Sequence, residues 1–190
     1  SGKNHYGYFN KSHHLEVKRK LLLEQSMVRG IEKNQFKLYF QPKINIINDT
    51  IDGFEVLLRW EHPELGPISP VEFIPIAEMS RFILILGEWV IAESCKQLSA
   101  WRREMSIQFT LAINLSPLQF KSDSLFNTIE QSLLANQLPP GSIELEITEG
   151  ILMDDHELSF DVIDELSQLG VKFSIDDFGT GYSSFQYLSR

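Results

Sequence analysis

Residues 53–60 read Gly-Phe-Glu-Val-Leu-Leu-Arg-Trp, and their alternation decides the fold class. Successive side chains of a strand point to opposite faces. One face here carries Gly53, Glu55, Leu57 and Arg59, and the other carries Phe54, Val56, Leu58 and Trp60. The same division recurs along the chain. Tyr39 and Gln41 oppose Leu38 and Phe40; Thr110, Ala112 and Asn114 oppose Phe109, Leu111 and Ile113. Glu144, Glu146 and Thr148 oppose Ile143, Leu145 and Ile147, and Ser174 and Asp176 oppose Phe173 and Ile175. Every strand thus has one apolar face, suited to covering helices, and one face of polar or small residues. In a doubly wound sheet both faces carry helices and the strands read as continuous apolar runs. In a barrel one face points inward and the C-terminal mouth holds the chemistry. The alternation favours a barrel.

The segments between these strands have helical spacing. Leu15–Lys33 has apolar residues at helical intervals with basic residues on its other faces. Asn48-Asp49 marks a turn between KLYFQPKI and TIDGFEVLLRW, a connection short enough to make those two strands an antiparallel pair. Pro70 suits the first turn of the helix PVEFIPIAEMS. Ile83–Arg102 follows as a longer amphipathic helix, then SDSLFNTIEQSLLANQ, then Asp155–Leu169, closed by Gly170. After the first pair, strands alternate with helices, the pattern of parallel strands in an α/β fold.

Glu55, Asn114, Glu146 and Asp176 lie near the C-terminal ends of four strands, where one barrel mouth brings them together. All four offer oxygen, the ligand type of hard divalent cations. Taken singly, each has an ordinary reading. A lone Glu in a strand is commonly solvent-facing, and Asn114 can bond to its own turn before Ser116-Pro117. Glu149 reads as a helix N-terminal acid or a loop carboxylate. Asp176-Asp177 before a Gly-rich turn can be an Asx turn and helix cap. His13, His14 and His62 have no partners at metal-ligand spacing and read as surface residues. Cys95, the single cysteine, excludes an internal disulfide and reads as a small hydrophobe packed within a helix, in a reducing compartment.

The chain has 190 residues and a net charge of −9, divided into +6 up to Lys43 and −15 beyond it. An acidic body disfavours duplex nucleic acid, which requires Lys and Arg against phosphate. No apolar run approaches the ~18 residues of a membrane span.

Five separated motifs, YFQPK, GFEVLLRWEHPELGPISPVEFIPIAE, NLSP, LEITE and FSIDDFGTGYSSFQYL, resemble the EAL domain family in order and spacing. The resemblance implies a modified (β/α)8 TIM-like barrel with an antiparallel first strand, of which about the first five strands are present. It also implies a cyclic-di-GMP phosphodiesterase that yields linear pGpG. The family's name-giving Glu-Ala-Leu stands here as Glu55-Val56-Leu57, and the change falls on the apolar face. By the same resemblance Glu55, Asn114, Glu146, Asp176 and Asp177 are metal ligands for Mg²⁺ or Mn²⁺, with Asp176 and Asp177 the pair that holds one metal and bridges to the second. Glu149 steadies the Gly-rich loop, and Gln41, Leu57 and Arg59 contact the cyclic dinucleotide. Phe178–Ser184 couples the site to a homodimer. Two divalent ions about 3.5–4 Å apart lower the pKa of a water and clamp the phosphoryl oxygens in such a reaction.

The family continues beyond Arg190 with strands carrying a Lys, a further metal-binding Glu and a Gln, so this segment by itself is expected to be inactive. Residues 1–14 resemble the end of a GGDEF domain or a linker, 15–33 a connector helix, and 34–190 the EAL domain. The expected setting is cytoplasmic, without membrane contact by this segment. The alternative within the same family is a module that binds cyclic-di-GMP without cleaving it.

Overall fold

The computed structural model describes residues 11–105, 108–154 and 156–176. Strand β1 (Phe36–Asn45) pairs antiparallel with β2 (Thr50–His62), with Phe36 opposite Trp60 and Gln41 opposite Glu55. The expected turn joins them. Asp49 adopts φ 55° and its N–H donates to the Asn45 carbonyl at 2.9 Å. β1 runs through Pro42, opposite Phe54, at the end of the described strand order, the place where a sheet tolerates proline. A register shift lies just beyond the Lys43–Gly53 pair.

A short strand β3 (Gly66–Ile68) pairs with the end of β2, and three parallel strands follow: β4 (Thr110–Asn114), β5 (Ile143–Thr148) and β6 (Lys172–Asp176). The order is β1-β2-β4-β5-β6, antiparallel at the first step and parallel at the rest. This is the expected partial barrel with an inverted first strand. β3 was not foreseen, since three residues that include Gly66 and Pro67 carry no alternation to read.

The helices are α1 (Lys11–Glu32), α2 (Pro70–Met79), α3 (Phe82–Met105), α4 (Pro117–Phe120), α5 (Leu125–Ala135), α6 (Glu149–Asp154) and α7 (His156–Gln168). α4 is a single turn that the sequence reading passed over. Ser116 caps it with a reciprocal box: its hydroxyl accepts the Gln119 N–H while the Gln119 side chain accepts the Ser116 N–H. α6 was likewise unforeseen, and it places Glu149 in a first helical turn. α7 ends at Gln168, two residues before Gly170, which adopts φ +80°; a Cβ there would stand 2.4 Å from Pro140 Cβ.

The apolar strand faces point to the helices as expected. Val56, Leu111, Ile113, Ile143, Leu145 and Ile147 are buried against Ile91, Cys95 and Leu98 of α3, Ile129 of α5 and Leu166 of α7. Each such side chain contributes roughly 1.5–3 kcal/mol of apolar burial. A second cluster, around Phe36, Trp60 and Phe73, takes in Leu23 and Met27 of α1. The second half of the expected connector helix is therefore packed into the domain.

His62 corrects a sequence expectation. It is buried, not on the surface, because β2 extends to it and carries it under α1. Its Nδ1 accepts the N–H groups of Glu64 and Leu65, each at 3.2 Å, and Nε2 stands 3.2 Å from Ser26 Oγ. Ser26 Oγ in turn donates to the Leu22 carbonyl at 2.7 Å. This hydrogen-bond chain ties the strand end to α1.

Candidate metal and substrate site

The polar strand faces line the concave side of the sheet. Glu55 on β2, Asn114 on β4, Glu146 on β5 and Asp176 on β6 lie along this face in a stagger: Asn114 is level with Glu146, Glu55 with Ala112 and Asp176 with Thr148. Asn114 Nδ2 donates to Glu55 Oε1 at 2.8 Å, so the carboxamide and carboxylate orient one another across adjacent strands. Glu146 feels both other carboxylates. Burial pushes its carboxyl above the usual range, and the neighbouring Glu55 and Asp176 push it further, against the opposing pull of Lys43.

Lys43 is the residue that sequence reasoning missed. It belongs to β1 and pairs with Gly53, below the rim. Its Nζ donates to Glu144 Oε1 at 2.9 Å and to Glu146 Oε1 at 3.1 Å. Burial disfavours the Lys43 ammonium, but its hydrogen bonds to Glu144 and Glu146 outweigh that and raise its pKa. Burial would also raise Glu144, yet Lys43 and nearby Lys172 hold its carboxyl below the usual range. The available signal was the odd-numbered face of β1, where Tyr39, Gln41 and Lys43 share one side. What the sequence could not show is that β1 and β5 face each other.

Gln41 lies directly opposite Glu55, and Leu57 opposite Tyr39, so both point to the concave face. Arg59, half-buried, donates from Nη1 to the Leu58 carbonyl at 2.8 Å, and its guanidinium carbon stands 5.7 Å from the Tyr39 ring centroid. The three expected dinucleotide contacts thus share one wall. Glu149 opens α6 at the end of β5. Val56 is buried on the convex face, away from this rim. Asp177 and the loop Phe178–Ser184 lie outside the described residues.

The oxygen-only donor set suits a hard divalent cation in type. Glu146, raised first by burial and further by Glu55 and Asp176, is a carboxylate that added positive charge would stabilise. Among the described residues no group of three or more His, Cys, Asp or Glu closes tightly enough to hold an ion unaided. Lys43 supplies positive charge to Glu146 in the arrangement seen.

Fold and rim together define a (β/α)-barrel segment with an acidic rim on its concave face. A profile of the EAL domain family matches residues 24–190, and the chain belongs to that family. The chain is 40% identical over 189 residues to the bifunctional diguanylate cyclase/cyclic di-GMP phosphodiesterase MucR of Pseudomonas aeruginosa, covering 100% of this chain and 28% of MucR. It is 35% identical over 189 residues to the cyclic di-GMP phosphodiesterase PdeR of Escherichia coli, again covering 100% of this chain and 28% of the relative. The solved MucR phosphodiesterase in complex with c-di-GMP superposes with a TM-score of 0.83 at 41% identity, covering 88% of this chain and 68% of that one. The chain spans under a third of the length of these curated relatives.

Proposed function

We propose that the protein carrying this chain hydrolyses cyclic-di-GMP to linear pGpG, with Mg²⁺ or Mn²⁺ held by Glu55, Asn114, Glu146, Asp176 and Asp177. The observation that carries this reading is the meeting of Glu55, Glu146 and Asp176 at one rim, with Asn114 fixed on Glu55. The names of MucR and PdeR support the substrate. Divalent cations there would acidify a water and neutralise charge on the phosphoryl oxygens. This chain's own residues do the rest. Asn114 holds Glu55 in one orientation, while Gln41, Leu57 and Arg59 form the wall on which the dinucleotide lies. Tyr39 backs the Arg59 guanidinium, a cation–π contact that fixes a charge able to meet a phosphate. Glu149 steadies the loop that follows β6, and Phe178–Ser184 joins two copies in a homodimer.

The two activities in MucR's name support reading residues 1–14 as the close of a preceding GGDEF domain, with 15–33 as connector and 34–190 as the EAL segment. Among the described residues no helix is long and apolar enough to cross a membrane. A cytoplasmic setting agrees with the lone, buried cysteine.

The test is chromatographic detection of pGpG from cyclic-di-GMP by the complete protein with Mg²⁺ or Mn²⁺. Turnover that stops with EDTA is the expected result. Tight binding without turnover would instead make the domain a cyclic-di-GMP sensor.

A further inference from the structure

We propose that Lys43 is an internal counter-ion that occupies Glu146 before the cation does, and so sets the affinity of the site for divalent metal. The inference rests on the metal-site reading above.

Lys43 reaches Glu144 and Glu146 from the opposite wall of the barrel, and its ammonium bridges one oxygen of each. Glu146 takes the Lys43 ammonium directly at 3.1 Å and has Glu55 and Asp176 as carboxylate neighbours. Its side chain is 13% exposed, so solvent screens those repulsions weakly. The Lys43 side chain is 42% exposed and its stem is flexible, so the ammonium has room to withdraw. Glu144 gives it a place to remain. It is the second acceptor, at 2.9 Å, and lies one step deeper on the same face of β5. A cation that takes Glu146 Oε1 therefore displaces one of the two Lys43 hydrogen bonds and leaves the other. Two states follow from one side chain: Lys43 shared between Glu144 and Glu146 in the metal-free protein, and Lys43 withdrawn onto Glu144 when the cation is bound. Lys43 is in this sense a positioning residue, acting on the site through Glu146.

The test is a titration of the complete protein with Mn²⁺ alone, following free Mn²⁺ by electron paramagnetic resonance, with melting curves in EDTA alongside. Lys43→Met removes the charge and keeps the stem. It should bind Mn²⁺ roughly 3–10-fold more tightly, the scale of one partly screened charge, while its Tm in EDTA falls. Lys43→Gln keeps a hydrogen-bond donor and removes only the charge, so it decides the matter if the Met variant does not fold. Lys43→Arg restores the charge and should restore wild-type affinity. Unchanged or weaker Mn²⁺ binding in both neutral variants, beside normal binding by the wild type, overturns the role of Lys43 and leaves the metal site standing. Absence of Mn²⁺ binding in wild type and variants alike overturns the metal reading and this inference with it. A merely structural lysine would lower the Tm with and without Mn²⁺ equally and leave affinity unmoved.

Discussion

Lys43 Nζ stands 3.1 Å from Glu146 Oε1, although β2 and β4 separate the strands that carry them. Three strand spacings in a flat sheet amount to about 14 Å. The contact exists only because the sheet curls, so this one ion pair reports closure toward a barrel. It also joins the antiparallel first strand to the strand of Glu144 and Glu146 across the concave face.

Glu55→Gln removes one negative charge from the rim and keeps the side chain's shape. In the complete protein we expect Mn²⁺ affinity and pGpG formation to fall by at least ~10-fold, the scale of removing an electrostatically used group. The melting temperature in EDTA should stay level or rise, since Glu146 then feels one carboxylate fewer. Paired calorimetric and product assays check this.

Gly53→Ala places a Cβ 2.2 Å from the Thr110 carbonyl oxygen, where β2 and β4 run side by side. Backbone cannot yield as a side chain does. The expected cost is about 1–3 kcal/mol, read as a fall in urea midpoint, together with lost activity because β2 carries Glu55.

Arg19 on α1 forms a two-point ion pair with Glu72 on α2, its second contact being 3.1 Å. The hydrogen bond from Arg19 holds the Glu72 carboxyl below its ordinary value of 4.5. A carboxylate lowered by folding stabilises the fold above that value and ceases to as pH falls through the lowered one. The pair is 45% and 35% exposed, so its contribution is at most ~1 kcal/mol. Glu72→Gln should therefore be slightly less stable than wild type at pH 7, and the difference should shrink as pH falls below 4.5. Denaturant melts across that range check it.

Cys95 is buried in α3, and burial pushes its thiol up to about 12. The native protein should resist iodoacetamide at pH 8 and react on unfolding, as mass spectrometry would show. Because the folded thiol is the harder to ionise, the stability difference appears only above pH ~9, the unfolded range.

The sequence by itself determined which residues share a face. Period-two alternation is a local property, so Glu55, Asn114, Glu146 and Asp176 were readable as one polar set, and Val56 as harmless to it. The same local rules placed the Asp49 turn and the Gly170 stop. Tertiary structure decided what those faces meet. His62 looked solvent-facing because its partner Ser26 lies 36 positions earlier, on a helix brought over the end of β2. The short helices α4 and α6, of four and six residues, are too short to carry a period. Lys43 looked like one cation among many until the sheet curled and set it against Glu144 and Glu146, about a hundred residues away. Neighbour chemistry follows from backbone periodicity, whereas charge pairing across a barrel follows from curvature, which is a property of the whole sheet.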